Sequence, residues 1–375
     1  MKIGITCYPT YGGSGAVATE LGLALAARGH EVHFITYAHP FRLPAAAPRI
    51  HFHEVSIGQY PLFQYPPYDL ALAVRMHEVA TQEKLDLLHV HYAIPHATSA
   101  WLAKQMLRDA GLELPVVTTL HGTDITIVGQ DHSYFAITKF SIEKSDRVTA
   151  VSQFLKDETV RAFGCDNQRV EVIPNFVDPA VYDRSIYPSA LREQLGGGRK
   201  VLMHISNMRP VKRVTDVVQI FAAVRRDIPS VLVMVGEGPE RSAAEEEARR
   251  LDVEADVRFL GKIDGVAPLL AAADLYLLTT DHESFGLSAL EAHACGVPVL
   301  GYAAGGLPEV VESGVTGHLG AVGDIFGMAR AASDLLGNAA RWQAASEASV
   351  RRARTQFATD QVIPRYEALY ADAVR

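Results

Sequence analysis

Apolar positions in the first part of the chain come in short β-branched runs separated by longer amphipathic stretches, the pattern of a parallel sheet covered by helices. The runs predict strands at Lys2–Cys7, Glu31–Thr36, Leu85–His89, Val116–Leu120 and Arg147–Ala150, with helices at Gly15–Arg28, Tyr68–Lys84, Pro95–Ala110 and Ser152–Phe163. The stretch from His39 to Pro67, rich in Pro, Tyr and His, has no clear period and reads as an excursion over the sheet edge. After the string VIPN at 172–175 a Pro- and Tyr-rich connection leads to Gly196–Gly198, and the alternation restarts. Strands are predicted near Val201–Ile205, Val231–Val235, Val257–Leu260, Leu275–Leu278 and Val297–Leu300.

Two doubly wound sheets follow: an N-terminal Rossmann-like domain over 1–171 joined by 357–375, and a second over 172–356. The residues from about Gln356 onward read as helical, and in this architecture they return to the first domain. Ligands of such sheets sit outside the carboxyl ends of the strands. The expected fold is therefore α/β, two Rossmann-like domains facing a cleft with one substrate on each side, which implies a transfer reaction.

Composition narrows the functional classes. A chain of 375 residues exceeds what one core usually supports, and 48% apolar residues exclude disorder. The formal charge of −8, with acids and bases mixed along the chain, provides no global field for nucleic acid or an anionic membrane. Any anion must be met by local cations. The N-terminal MKIGITCYPTYGG lacks the basic start and long apolar run of a signal peptide, and no apolar stretch approaches membrane-spanning length, so a soluble cytoplasmic protein is expected. Cys7, Cys165 and Cys295 lack the paired spacing of a zinc or redox motif and read as reduced thiols.

The strongest local signal is DHESFGLSALE at 281–291, in which Glu283 and Glu291 are separated by seven residues just after a buried strand. A loop carboxylate there can accept from sugar hydroxyls and a helical one from ribose hydroxyls, while the amides of Phe285, Gly286, Leu287 and Ser288 begin a helix and favour a phosphate. Two such acids alone read better as a capped helix with ordinary surface acids. The string SNMRPVKR at 206–213 changes the balance. Asn207, Arg209 and Lys212 follow the first strand of the second domain, and cations at a helix start oppose its dipole unless an anion sits there. Arg209 and Lys212 together can neutralise a departing diphosphate.

Gly12, Gly13, Ser14 and Gly15 form a loop that also resembles a weak dinucleotide fingerprint, but the following strand ends in Thr36-Tyr37-Ala38-His39 without the acid that NAD requires. An anion or acceptor site at the helix start is the better use of these glycines. In TLHGTD at 119–124, His121 stands at a strand end, where a lone histidine is usually a satisfied core residue; its neighbouring hydroxyls favour contact with a sugar. His89 and His91 have metal-compatible spacing without a nearby carboxylate and read as structural or cleft-lining. There is no Asp-x-Asp, and with Arg209 and Lys212 available no metal is expected.

These residues together resemble the retaining glycosyltransferases of family 4, whose hallmark is the Glu-seven-Glu element with upstream Arg and Lys. The strings SGAVATELGLALAARGHEVHFIT, IGQYPLFQYPPYDLALA, HVHYAIPHATSAWLAK, TTLHGTDITIVGQD, SDRVTAVS and HISNMRPVKR are similar to the branch that glycosylates malate at the start of bacillithiol biosynthesis. The resemblance implies transfer of N-acetylglucosamine from UDP-GlcNAc to the hydroxyl of L-malate, by a homodimer. It implies Glu291 on the ribose, Glu283 on the sugar hydroxyls, Arg209 and Lys212 on the diphosphate, and Lys262 and Ile263 at the uracil, with Gly15, Asn207, Phe285, Gly286 and Leu287 completing the donor site. Ser14, Gly15, Tyr92 and Thr119 match the acceptor pocket, and His121 matches the histidine beside the anomeric carbon. Lys139 and Arg147 are candidates for the malate carboxylates. The competing expectations are another acceptor, such as an inositol phosphate or a lipid-linked sugar, and a nucleotide-sugar binding module without turnover.

Overall fold

The computed structural model describes residues 1–10, 12–58, 61, 62 and 64–375. Tyr11 of the first loop and Gln59, Tyr60 and Phe63 of the string IGQYPLFQYPPYDLALA lie outside the described residues. Two units are present, Met1–Asn175 with Val362–Arg375, and Phe176–Gln361. The divisions drawn from sequence lie a few residues earlier at both crossings, the second crossing falling inside the helix Thr359–Ala373.

The first unit contains β1 (Lys2–Thr6), β2 (Glu31–Thr36), β3 (Ile50–Glu54), β4 (Leu87–His91), β5 (Val116–Leu120), β6 (Arg147–Ala150) and β7 (Val170–Val172). Among the described residues these form one parallel sheet in the order β3-β2-β1-β4-β5-β6-β7. The central strands β1, β4 and β5 are buried almost without exception, as expected for strands covered by helices on both faces. The predicted excursion from His39 to Pro67 is corrected: it contains β3, a parallel edge strand. Its residues IHFHE are half exposed, so the apolar signature that marks a buried strand is missing. Helix ends follow ordinary chemistry. The Ser152 hydroxyl accepts from the Leu155 amide at 3.0 Å to start the helix Gln153–Phe163, and Gly164 at φ 62 ends it.

The C-terminal helix is held to this sheet by Tyr366 and Tyr370, both buried, and by Arg28 on Glu367 at 2.8 Å. Burying an aromatic or aliphatic side chain of this size contributes roughly 1.5–3 kcal/mol.

The second unit contains β8 (Lys200–Ile205), β9 (Ser230–Val235), β10 (Val257–Gly261), β11 (Leu275–Leu278), β12 (Val299–Tyr302) and β13 (Gly317–Gly320), parallel in the order β10-β9-β8-β11-β12-β13. Its core packs Val217, Phe221 and Val224 of the helix Val214–Arg225 against Leu202, Leu232 and Met234. In each sheet the winding direction reverses at one point, between β1 and β4 and between β8 and β11. Loops leaving adjacent strands at such a point diverge and leave a crevice at the carboxyl ends, where ligands of open α/β sheets bind.

Candidate functional site

The second unit's crevice is built from the loops after β8 and β11. The chain leaving β8 is pinned by Tyr276, whose hydroxyl donates to the Ile205 carbonyl at 3.0 Å, and by Ser206, whose Oγ accepts from the Met208 amide at 3.1 Å. His204 meets the same Ser206 hydroxyl through Nε2 at 2.7 Å. A Cβ at Gly238 would stand 1.9 Å from the Asn207 carbonyl oxygen, so only glycine lets the loop after β9 lie against this turn. Asn207 and Arg209 are left exposed.

Lys212 is then set by the end of β11. Thr279 Oγ1 donates to the carbonyls of Lys212 and Arg213 at 3.0 and 3.1 Å, Thr280 Oγ1 donates to Val211 at 3.1 Å, and the Asp281 amide donates to Val211 at 3.1 Å. The result brings Lys212 Nζ to 2.9 Å from Glu283 Oε2, with both side chains mostly shielded from solvent. Glu283 is itself fixed by its carbonyl, which accepts from the Gly306 amide at 2.7 Å. Gly286, at φ 100, then turns the chain into the helix Leu287–Ala294.

Phe285 is buried with its ring against Phe357, so it contributes backbone rather than side chain to this crevice. Glu291, 4% exposed, accepts from the Tyr182 hydroxyl at 2.7 Å. Tyr182 lies far upstream in sequence, and no local signal marked it. Lys262 and Ile263 follow β10 directly, the first exposed and the second half-buried. The group offers two cations, helix-start amides and a buried carboxylate acceptor, the set that a nucleoside diphosphate ester requires.

The first unit's crevice gathers Ser14, Tyr92, Thr123 and His121. The Tyr92 hydroxyl is hydrogen bonded to Ser14 and Thr123, and its ring stands 5.4 Å from that of His121. Tyr92 occupies φ 89, and its amide donates to the Thr119 carbonyl at 2.9 Å. A Cβ at Gly15 would lie 2.6 Å from the Tyr8 carbonyl oxygen, which requires a glycine where the helix Gly13–Ala27 begins. No acid occupies that helix's first turn, so its start is open to an external anion.

Asp124 organises this loop. Its Oδ2 accepts from the Ala93 amide at 3.0 Å, and its Oδ1 accepts from the Gly122 and His121 amides at 2.9 and 3.3 Å. Burial still raises its carboxyl above the ordinary aspartate range. His91 Nδ1 lies 2.8 Å from His121 Nε2 with the rings stacked at 5.0 Å, and His91 stacks in turn on His89 at 4.6 Å. His89 reaches Tyr370 and Thr119 hydroxyls, both at 2.7 Å. Burial, assisted by the neighbouring His96, holds the His121 ring down to about 3, so it works as a neutral imidazole.

Some expectations need correction. Thr119 supplies its carbonyl to Tyr92, but its hydroxyl is turned to His89, Thr149 and Tyr366. Arg147 begins β6, at the opposite end of the sheet from the crevice, and donates to Asp372 at 2.5 Å. Lys139 pairs with Glu143 at 3.8 Å and stands beside Gly164, at the end of the helix Gln153–Phe163. Neither cation joins the group around Tyr92 and His121.

The Glycosyltransferase Family 4 profile matches residues 11–181, and that of Glycosyl transferases group 1 matches residues 191–352. The chain is 50% identical, over its whole length and 98% of the relative, to N-acetyl-alpha-D-glucosaminyl L-malate synthase of Bacillus anthracis. The chain belongs to glycosyltransferase family 4. A second family member, D-inositol 3-phosphate glycosyltransferase of Salinispora tropica, is 28% identical over 97% of this chain and 81% of its own. The fold is that of Anabaena HepE solved with UDP and glucose, at TM-score 0.81, 21% identity and 99% of each chain, and of sucrose-phosphate synthase from Thermosynechococcus elongatus, at TM-score 0.80, 21% identity and 99% and 98% coverage. It is the GT-B architecture of this enzyme class.

Proposed function

We propose that this glycosyltransferase moves N-acetylglucosamine from UDP-GlcNAc to the hydroxyl of L-malate, with retention at the anomeric carbon and release of UDP. The observation that carries the reading is the end-to-end 50% identity to a synthase of that name. In this reading Glu291, held by Tyr182, accepts from the ribose hydroxyls, Lys262 and Ile263 flank the uracil, and Asn207, Arg209, Lys212 and the amides of Gly286 and Leu287 hold the diphosphate. The sugar–oxygen bond to the diphosphate breaks while the malate hydroxyl oxygen bonds to the anomeric carbon on the same face. The hydroxyl proton passes to the leaving phosphate oxygen.

Lys212 and Arg209 stabilise the charge that develops on that oxygen. Glu283 orients the sugar hydroxyls through a carboxylate steadied by Lys212, and is not a nucleophile. Neutral His121 offers a hydrogen bond without adding a positive charge beside an electron-poor anomeric carbon. With Lys139 and Arg147 elsewhere, one malate carboxylate belongs at the open start of the helix Gly13–Ala27, beside Ser14 and Tyr92. Two local cations at the diphosphate make a metal unnecessary for the transfer. A cytoplasmic setting suits three buried free thiols and a pool of nucleotide sugar; among the described residues no helix is long and apolar enough to cross a membrane.

The test incubates the protein with UDP-GlcNAc and EDTA, with and without L-malate, following UDP release and the mass of the glycoside. Malate-dependent UDP with a glycosyl-malate product supports the donor, the acceptor and metal independence, and an α-type anomeric proton coupling in that product supports retention. UDP that appears only with inositol phosphate refutes the acceptor and retains the donor. No turnover with any acceptor or metal refutes catalysis.

A further inference from the structure

Outside the crevices, titratable side chains gather on the edge of the first sheet. Glu31 and His33 alternate on β2, so both project from one face, and His51 and His53 do the same on β3. The parallel register sets His33 opposite His51 and Ile35 opposite His53. Glu31 Oε1 is 3.3 Å from His51 Nε2 and 3.6 Å from His33 Nε2. One ligand atom from each of these residues lies within 4.8 Å of the others. A tetrahedral ion with nitrogen and carboxylate oxygen ligands at about 2.0–2.2 Å keeps them about 3.3–3.6 Å apart. Both measured separations fall in that interval.

A second observation singles out the same point. His33 is fully buried, and its Nε2, which faces Glu31, has no hydrogen-bond partner. Buried polar atoms are ordinarily satisfied, so this nitrogen calls for a partner. Its other nitrogen is already engaged: His33 Nδ1 is 2.9 Å from His53 Nε2, with the two rings stacked at 5.2 Å. The tautomer in which Nδ1 donates to His53 leaves a lone pair on Nε2, the orientation that an outer-shell partner imposes on a ligating histidine. Lys2 Nζ stands 3.6 Å from the other oxygen of Glu31, which leaves Oε1 for the ion.

We infer that Glu31, His33 and His51 form a binding site for one divalent transition-metal ion of the zinc class, outside both substrate crevices. Two imidazoles select such an ion over magnesium or calcium, which prefer all-oxygen sites. His51 is half exposed, so the ion can enter from solvent and keep water as its fourth ligand. Its effect is to tie the edge strand β3 to β2, the strand it pairs with. The site is independent of the proposed transfer.

The test uses untagged full-length protein, stripped with chelator and titrated with Co²⁺, then with Zn²⁺ in competition. Wild type is expected to bind one equivalent of Co²⁺ with the visible absorption of a four-coordinate ion and to release it to Zn²⁺. His51→Ala, at an exposed position, and Glu31→Gln, which keeps the shape, are each expected to weaken binding by at least 100-fold. His53→Ala should weaken it about 10–100-fold through the outer shell. His132→Ala, in an exposed loop, should change nothing. Absence of saturable Co²⁺ binding overturns the inference. So do unchanged affinity in both His51→Ala and Glu31→Gln proteins with native circular dichroism, and a thiolate-to-cobalt band, which would put the ion on a cysteine.

Discussion

Acidification should destabilise the first unit sharply, because its crevice rests on buried neutral histidines. His89, His91 and His96 are all fully buried. Burial, reinforced by neighbouring imidazoles at His89 and His91, holds His89 to about 3 and His91 well below the ordinary value of 6.5; burial alone holds His96 to about 4. The folded values lie below the unfolded ones, so the unfolded chain binds more protons as pH falls. The stability tied to neutral rings is therefore complete above 6.5 and declines between 6.5 and the folded values. From about pH 7.5 to about pH 5.5 each ring contributes a loss of about 1.3 kcal/mol, and the three together about 4 kcal/mol. For a unit of this size that lowers the melting temperature by about 8–16 °C. The chain has two tryptophans, Trp101 in the first unit and Trp342 in the second, so Trp342→Phe leaves Trp101 fluorescence as a reporter of the first. His96→Gln keeps a donor for the His91 carbonyl, which His96 meets at 2.5 Å, and should remove about 1.3 kcal/mol of the pH effect. A Trp101 melting temperature that stays within about 2 °C across this pH range would refute the reasoning.

Three further outcomes follow from the crevices. Lys212→Ala should lower kcat about 100–1,000-fold at saturating UDP-GlcNAc, with partial recovery in Lys212→Arg, because the charge acts mainly on the departing diphosphate; an unchanged kcat would move that role elsewhere. Tyr182→Phe removes a hydroxyl from a buried carboxylate at 2.7 Å, about 1.5–3 kcal/mol, and should weaken UDP about 10–100-fold by calorimetry while kcat at saturation stays near wild type. Asp124→Asn replaces an acceptor-only group that serves three amides, and should cost about 1–3 kcal/mol in urea unfolding together with most of the activity.

Most of both sheets was legible because their central strands carry continuous apolar runs. Three strands were not. β7 and β13 are only three and four residues long, and β13 reads Gly-His-Leu-Gly without a β-branched residue. β3 presents His51, His53 and Glu54 where an interior strand would carry apolar groups. Of these, His51 is a ligand of the proposed metal site and His53 its outer-shell partner. A functional constraint on an edge strand can thus remove the signal by which the strand would be recognised.

The two crevices also differ in what a linear reading reaches. On the donor side Asn207, Arg209, Lys212 and Glu283 each follow a strand by a few positions, so strand, loop and charge appear together in one string, as in SNMRPVKR and DHESFGLSALE. Tyr182 and Asp124 act through partners and carry no such string; Asp124 stood in view beside His121, but its role appears only once three amides converge on it. Arg147 is the opposite case, because its misplacement was readable. In a parallel sheet every strand enters at the end away from the crevice, so a charge on a strand's first residue is remote from the ligand by the length of that strand. The distance from Arg147 to the crevice follows from its place at the start of β6, and its pairing with Asp372 is what such a position permits. With Arg147 and Lys139 elsewhere, the proposed acceptor site rests on the amides and hydroxyls after β1 and β4, and a malate carboxylate would be met there by Ser14, Tyr92 and the start of the helix Gly13–Ala27.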